Sequence, residues 1–383
     1  MRVFQFISYT ANVNYLENLG KGLSQNGIYF ACGTLFGSGV DKPDWLESLG
    51  SDNYFCLNAR SRRDFPLSVL KLARILKRVK PDILHTHLYE ASLVGLLAGR
   101  IAGVPLRIMT RHHSDQAHIA GNRLSVAIDR LEARFFDQVI VPSYATRDFL
   151  INADSVDPRK VSAIHLGFDF EKFSSTDDDR ARIRQLFSLS DRHYVIGTFG
   201  NFFPTKGHRF LVSAARELLN EIPNLKLLFV GEGGDVSELK RQIAENGLED
   251  RVIFAGNRTD VPHCMNAVDV VVHPSLSEAF SQVLVETMSV GTPLISTDVG
   301  GATEVITHDD NAILIRPGNI GDIVDSVRRV YKDREFALKI AEAGQRSVRG
   351  RFTIDTMLKE HVLKYKAWLN GSRRADIDAD RSQ

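Results

Sequence analysis

Residues 275–297 read SLSEAFSQVLVETMSVGTPLIST and contain the pattern that decides the fold. An apolar strand pattern, Val270–Val272, precedes the segment, a helical pattern opens near Ser281, and a second apolar strand pattern closes it. This succession predicts two parallel strands joined by a helix. It also places two carboxylates in one unit, Glu278 just before the helix and Glu286 on it.

The same alternation of strand and helix patterns runs through both halves of the chain. Strands are predicted at Val3–Ile7, Ile28–Cys32, Ile83–His85, Arg107–Thr110, Val139–Val141, Tyr194–Phe199, Lys226–Val230, Val252–Ala255, Val270–His273 and Leu294–Ser296. The alternation lapses at the polar, acidic run Phe173–Arg180, which predicts a linker. Two doubly wound α/β domains, each with a parallel sheet, are therefore expected.

Composition restricts the class of protein. A length of 383 residues exceeds the size at which one hydrophobic core keeps growing, and 43% hydrophobic with 25% charged residues is typical of a globular protein. A net charge of +1 gives no general attraction to nucleic acid. The longest apolar stretch, residues 91–106, contains Arg100 and is too short to cross a bilayer. Three cysteines without metal or redox spacing, and an N-terminus unlike a signal peptide, predict a cytoplasmic protein.

Polar loops follow the predicted strands of the second half. They are residues 200–207 (GNFFPTKG), 231–234 (GEGG), 257–260 (NRTD) and 298–301 (DVGG). Ligands of open α/β sheets bind at the carboxyl ends of strands, so four such loops together predict a binding rim, although each alone is compatible with an ordinary surface turn. Carboxylates suit polyols, whereas Lys206 and free amides at a helix start suit phosphates. The predicted ligand is a sugar joined to a nucleotide diphosphate.

Histidines cluster after two strands of the first half, in residues 85–87 (HTH) and 111–115 (RHHSD). Zinc would need three or four ligands with supporting carboxylates, and the cysteine and histidine spacings offer no such set. We therefore expect no metal. A single histidine that faces the ligand and bonds sugar hydroxyls fits better, while His85 is predicted to be a hydrogen-bonded core residue.

Together these segments resemble the retaining glycosyltransferases of family 4, the glycosyl transferases group 1. The resemblance rests on Glu278 and Glu286 at the family's spacing. It also rests on flanking segments that span nearly the whole chain: 81–87, 104–112, 164–169 with Phe173, Lys206-Gly207, 273–275, 278–280, 291–293, 300–301 and Glu304.

The resemblance implies the GT-B fold, in which two Rossmann-like domains face a central cleft. The N-terminal, acceptor-side domain would span residues 1–172 and the nucleotide-sugar domain residues 173–351. Residues 352–370 would form a helix that crosses back to the N-terminal domain, and residues 371–383 a flexible tail.

The resemblance also implies roles for individual residues. Glu286 would hold the ribose, Glu278 the donor sugar, and Lys206 would neutralise the leaving diphosphate in place of a metal. His112 would be the histidine that faces the cleft, with His113 as the neighbouring candidate. Further donor contacts would come from the amides of Phe280, Ser281 and Gln282, and from Gly231, Asn201 and Arg258.

The chain departs from the family pattern in two places. Asn201 stands where the family commonly has an arginine, so a phosphate contact would be missing or supplied by Arg209 or Arg258. Residues 8–12 (SYTAN) replace the glycine pair usual in the first strand–helix loop, which leaves the choice of acceptor open.

The implied activity is transfer of a sugar from a UDP- or GDP-sugar to a glycan or lipid-linked acceptor in the synthesis of cell-surface polysaccharide or glycoconjugates. No cofactor is expected. The alternatives are a sugar-nucleotide epimerase of the same architecture and a catalytically silent sugar-nucleotide-binding subunit, the latter motivated by Asn201.

A basic stretch within residues 60–80 is relevant to which partners the protein binds. It includes Arg60, Arg62, Arg63, Lys71, Arg74, Lys77, Arg78 and Lys80. Such a stretch fits peripheral contact with anionic lipid at the inner face of a membrane, and it fits a solvated helix face as well. No nucleic-acid partner is expected.

Overall fold

The computed structural model describes residues 1–9, 14–37, 45–46, 49, 52–113, 123–234 and 236–380. The predicted loop positions 10–12 and 114–115, and the end of the tail at 381–383, lie outside these residues. The chain divides into two compact units: unit 1 comprises Met1–Gly167 with Ile354–Gln383, and unit 2 comprises Phe168–Thr353. The sequence-based boundaries were residues 172 and 351.

Unit 1 is built on a seven-stranded parallel sheet with strand order β3-β2-β1-β4-β5-β6-β7. Its strands are β1 (Arg2–Ile7), β2 (Tyr29–Phe36), β3 (Tyr54–Ala59), β4 (Ile83–His87), β5 (Leu106–Thr110), β6 (Gln138–Val141) and β7 (Val161–Ala163). Its helices are α1 (Asn14–Gln25), α2 (Phe65–Val79), α3 (Tyr89–Ala102), α4 (Arg123–Phe135), α5 (Tyr144–Asn152) and the last helix of the chain. Central strands such as β1 and β4 are buried on both faces, although they contain the polar residues Gln5, His85, Thr86 and His87.

Unit 2 repeats this architecture with a six-stranded parallel sheet of order β10-β9-β8-β11-β12-β13. Its strands are β8 (Tyr194–Phe199), β9 (Leu225–Val230), β10 (Val252–Gly256), β11 (Val270–His273), β12 (Leu294–Thr297) and β13 (Ile313–Ile315). Its helices are α6 (Asp177–Leu186), α7 (His208–Leu218), α8 (Val236–Glu245), α9 (Val261–Ala267), α10 (Gln282–Val290), α11 (Ala302–Val305), α12 (Ile320–Lys332) and α13 (Arg334–Arg349). The predicted pair of doubly wound domains is confirmed.

The last helix, α14 (Ile354–Asp380), packs into unit 1. Met357, Leu358, Tyr365 and Leu369 on this helix are buried in the same apolar cluster as Leu19 of α1. This helix continues to Asp380, whereas we expected it to end near residue 369. The apolar stripe that marks a packed helix stops there, but the backbone hydrogen bonding of a helix continues without it.

The predicted linker at 173–180 is wrong in its second half, because α6 begins at Asp177. The acidic run is the first turn of this helix. Thr176 caps the helix by accepting a hydrogen bond from the amide of Asp179, and the carboxylate of Asp179 accepts one from the amide of Thr176. Carboxylates are favoured at a helix N-terminus, so the polar composition marked a helix start instead of a flexible joint.

In the part of the chain that the structure describes, no helix is both long enough and apolar enough to cross a bilayer.

Candidate active site

The loops that follow β8, β11 and β12 lie side by side in unit 2, because these strands are neighbours in a parallel sheet. Two glycines let the loop backbones touch. A Cβ on Gly207 would overlap the carbonyl oxygen of Pro274, and one on Gly300 would overlap that of Glu278, and both glycines have positive φ. The amide of Leu276 also donates to the carbonyl of Thr205 at 2.7 Å. The loop that carries Glu278 is thus held from both sides.

Glu278 is the centre of a charged cluster. Its Oε1 atom lies 2.6 Å from Lys206 Nζ, 2.7 Å from Ser275 Oγ and 2.9 Å from His273 Nε2. Burial disfavours the ionised carboxylate, but the bonds and charges of His273 and Lys206 outweigh it and lower the pKa of Glu278 to about 2. The side chain is a fixed anion paired with a fixed cation, and only 11% of it is exposed.

His273 connects this cluster to the start of α10. Its Nε2 atom lies 3.0 Å from the hydroxyl of Ser281, which precedes the helix at φ 64° and ψ 98°. This backbone conformation is unfavourable for a residue with a side chain. The Ser281 hydroxyl is turned to His273 and does not cap α10. The first N–H groups of the helix therefore lack this serine cap, an arrangement that suits an anion.

Glu286 is in the middle of α10 and contrasts with Glu278. Burial raises the pKa of its carboxyl to about 7. Among the described residues, no hydrogen bond or ion pair reaches this carboxyl. A half-buried carboxyl without a partner is costly for the free protein.

In unit 1, His112 and His113 follow β5 and line a cavity of about 230 Å³ with Tyr9, Tyr89 and Glu132. Both histidines are partly exposed. Burial, together with the smaller effect of the neighbouring His113, lowers the pKa of His112 to about 4. His112 is therefore a neutral imidazole at physiological pH.

His112 is also in contact with the core of unit 1. Its Nε2 lies 3.4 Å from Nδ1 of His87, whose own Nε2 is hydrogen-bonded to Oε1 of Gln5. His85 is fully buried, 2.6 Å from both the Thr110 hydroxyl and the Tyr365 hydroxyl. The prediction of a hydrogen-bonded core histidine at His85 is confirmed. Among the described residues, no group of His, Cys, Asp or Glu is arranged to hold a metal ion.

Comparison with known proteins agrees with this arrangement. The family model for Glycosyl transferases group 1 matches residues 179–347, and the model for Glycosyltransferase Family 4 matches residues 13–172. This chain belongs to the group 1, family 4 glycosyltransferases. It is an enzyme, and its two units correspond to the two family models.

Curated relatives cover most of this glycosyltransferase. The UDP-Gal:alpha-D-GlcNAc-diphosphoundecaprenol alpha-1,3-galactosyltransferase of Escherichia coli is 27% identical over 301 residues, or 77% of this chain and 78% of the relative. The N-acetyl-alpha-D-glucosaminyl L-malate synthase of Bacillus anthracis is 26% identical over 312 residues, 80% of each chain. These relatives do not favour the epimerase or the silent subunit.

A solved structure shares the fold. Alr3699/HepE of Anabaena, in complex with UDP-glucose, matches with a TM-score of 0.82 and 23% identity over 95% of this chain and 99% of that one. The GT-B fold of this glycosyltransferase is thereby established.

The structure does not bring every predicted site residue of this glycosyltransferase to the Glu278 cluster. Arg258 makes two 2.8 Å hydrogen bonds to Asp260, and Arg209 is exposed with its guanidinium over the ring of Phe210. Among the described residues, no hydrogen bond or ring contact of either arginine involves Lys206. The suggestion that one of them replaces the missing arginine stays a prediction.

The remaining predicted donor residues line the same edge of the sheet. Asn201 is exposed, and the backbone of Gly231 packs closely on that of Gly200. Gln282 is the exposed first residue of α10. The ring of Phe280 is buried, so only its backbone is available for a ligand contact.

Sequence reasoning gave no role to several residues that hold the two sites. His273 and Ser275 were noted only as part of a family segment, although both bond Glu278. Gln5 was missed, although a polar residue inside the buried strand β1 was a usable signal. His361 and Tyr365 were missed because their contacts are with residues far away in the sequence.

Proposed function

We propose that this glycosyltransferase moves a sugar, with retention of configuration, from a UDP- or GDP-sugar to a glycan or lipid-linked acceptor in the synthesis of cell-surface polysaccharide or glycoconjugates. The observation that carries the proposal is the fixed cation Lys206, held 2.6 Å from the Glu278 carboxylate beside the start of α10. The donor class is supported by the name of the Escherichia coli relative, which specifies UDP-Gal, and by the UDP-glucose bound to the Anabaena protein.

The proposed chemistry needs no metal. Negative charge develops on the diphosphate as the sugar leaves, and a preorganised cation and free helix N–H groups stabilise that charge. Lys206 and the N-terminus of α10 supply both. Glu278 holds Lys206 in place and has carboxylate oxygens suited to hydroxyls of the donor sugar.

Glu286 and His112 complete the proposed set. The unpartnered carboxyl of Glu286 would accept hydrogen bonds from the ribose, which stabilise its ionised form. His112, a neutral imidazole, would bond a hydroxyl of a substrate. The leaving phosphate would help to deprotonate the acceptor on the face from which it departs.

A panel of UDP- and GDP-sugars, screened by nucleotide release and by thermal stabilisation, would identify the donor. We expect Glu286→Ala to abolish transfer with the fold intact. Glu342→Ala, on the exposed surface of α13, is the matched control and should transfer normally. Unchanged transfer by Glu286→Ala would overturn the assignment.

We also propose peripheral contact with anionic lipid at the inner face of a membrane, through α2. This helix contains no acidic residue. Leu67 and Leu70 are about half exposed, and Lys71, Arg74 and Lys77 continue the same exposed stripe. Exposed leucines below a row of cations suit a bilayer interface, where each charge contributes about 1 kcal/mol.

Vesicle flotation tests this contact. Binding should require anionic lipid, weaken at high salt and be lost in the double variant Lys71→Glu/Arg74→Glu. The double variant Arg334→Glu/Lys339→Glu changes the net charge equally on α13 and should still float. Equal flotation of both variants would refute a specific role for α2.

A further inference from the structure

Two groups of hydrogen bonds run through unit 1 behind His112. The first joins Tyr365, His85, Gln5, His87 and His112, and the second joins Met357, His361 and Tyr15. Burial lowers the pKa of each of their histidines, to about 4 for His361 and His112. A neutral imidazole has one donor and one acceptor nitrogen, so the direction of the first bond fixes the direction of the others.

The second group starts at an atom that can only accept. The carbonyl oxygen of Met357 lies 2.8 Å from Nδ1 of His361, so this nitrogen carries the proton. Nε2 of His361 is then an acceptor, and the Tyr15 hydroxyl, 2.8 Å away, donates to it.

In the first group, Gln5 orients His85. The amide nitrogen of Gln5 can only donate, and it lies 3.2 Å from Nδ1 of His85, so Nδ1 is an acceptor. Nε2–H of His85 then donates to the hydroxyl of Thr110 at 2.6 Å.

Gln5 links Tyr365 to His87, and its amide group fixes which partner donates in each hydrogen bond. The Tyr365 hydroxyl donates to Nδ1 of His85 at 2.6 Å and accepts from the Gln5 amide nitrogen at 3.3 Å. This leaves the amide oxygen of Gln5 facing His87, where it accepts from Nε2–H.

The last link reaches the cavity. Nδ1 of His87 is an acceptor, and Nε2–H of His112 donates to it across 3.4 Å. The lone pair of His112 is therefore on Nδ1. No described residue is hydrogen-bonded to this nitrogen, and His112 lines the 230 Å³ cavity.

We propose that Gln5 and His87 are positioning residues that hold His112 as the Nε2–H tautomer. His112 then presents Nδ1 to the substrate as an acceptor, so it selects a ligand group that donates, a hydroxyl, over a carbonyl or ether oxygen. The tautomer follows from unit 1 alone; its use in transfer rests on the proposed function.

Nitrogen-15 NMR of the histidine-labelled full-length protein, near pH 7.5, tests the tautomers. Protonated and unprotonated ring nitrogens have distinct shifts, and His→Gln variants assign the signals. We expect Nε2–H for His85, His87 and His112, and the opposite tautomer, Nδ1–H, for His361 alone among the four. Finding His87 or His112 as Nδ1–H would overturn the proposal whether or not a donor sugar is known.

Two substitutions test the consequence for transfer. Gln5→Leu removes the acceptor of His87, so kcat should fall about tenfold, the net effect of one buried hydrogen bond. KM for the donor should stay unchanged, because the residues proposed to bind the nucleotide are in unit 2. Tyr365→Phe is the control: Gln5 can still donate directly to His85 Nδ1 at 3.2 Å, so the His112 tautomer and kcat should stay within about twofold of wild type.

A purely structural role would give a different result. Both variants would then lose thermal stability while the folded fraction kept wild-type kcat and the wild-type His112 signal, and this outcome would reject the proposal. If Gln5→Leu does not fold, Gln5→Met replaces it, and the tautomer pattern of the wild-type protein remains decisive.

Discussion

The two candidate sites, one in each unit, hold their central polar side chains in opposite ways. In unit 2, Glu278 stays ionised because Lys206 and His273 pair with it. In unit 1, His85 and His112 are neutral, because burial opposes their charge and hydrogen bonds satisfy them without it. A site that stabilises a leaving anion needs a permanent positive charge. A site that orients a hydroxyl needs a hydrogen-bond acceptor of fixed orientation, and that acceptor can be neutral. The same fold supplies both.

Acidification should give the largest difference in stability between the two units. Folding lowers the pKa of His112 and His361 from 6.5 to about 4, so their contribution to stability is complete above pH 6.5 and is lost as the pH falls to about 4. Each shift corresponds to roughly 3 kcal/mol. Unit 2 has one such buried histidine, His208, whose pKa burial lowers to about 3. Protonation of Glu286 between pH 7 and 4.5 stabilises unit 2 and offsets part of the loss from His208, and Glu278 adds a further loss only between about 4.5 and 2.

Intrinsic fluorescence measures unit 1 alone, because Trp45 and Trp368 are the only tryptophans of the chain and both belong to that unit. The fluorescence transition should precede the main loss of far-UV circular dichroism on acidification. His361→Gln should reduce the loss, while His308→Gln, at an exposed position in unit 2, should not. Simultaneous transitions would contradict the comparison.

Removing the charge of Lys206 should affect the rate of transfer more than the stability of unit 2. In Lys206→Met we expect kcat to fall roughly 10²–10³-fold, since one preorganised group is worth about 3–4 kcal/mol to the transition state. Lys339→Met on α13 is the matched control. A Lys206→Met enzyme within a few-fold of wild type would show that the charge is not needed.

Overpacking between α1 and α14 should destabilise only unit 1. A Cβ on Gly22 would overlap the side chain of Leu358, so Gly22→Val should cost about 1–3 kcal/mol in the free energy of unfolding. Urea unfolding followed by tryptophan fluorescence measures this cost. Gly350→Val, where no atom lies within 4 Å of the added Cβ, is the control. An unchanged midpoint for Gly22→Val would mean that α14 contributes little to unit 1.

The smallest expected effect is proton release by Glu286. If a nucleotide sugar bonds its ionised form, binding lowers a pKa of about 7 and releases up to about half a proton at pH 7. Calorimetry in buffers of different ionisation enthalpy measures this number. Glu286→Gln should abolish the release and Glu342→Gln should preserve it. Binding without proton release would argue that this carboxyl does not contact the ligand.

Local patterns predicted much of this molecule. Strands such as β1 and β8 and the placement of Glu278 before α10 followed from runs of apolar residues and helical spacing, since periodic burial is written into neighbouring residues. The linker was misread at Asp177 because acidic residues favour both loops and helix starts. The length of α14 was misread because its last turns lack an apolar stripe.

The sequence by itself determined two parallel α/β units, the family, and the positions of Glu278 and Glu286 around α10. Only the tertiary structure decided their charge states, and only it joined Gln5, His87 and α14 behind His112. The reason is physical. Secondary structure follows from neighbours along the chain, but pKa values and hydrogen-bond direction depend on burial and on partners hundreds of residues away, as Gln5 and Tyr365 are.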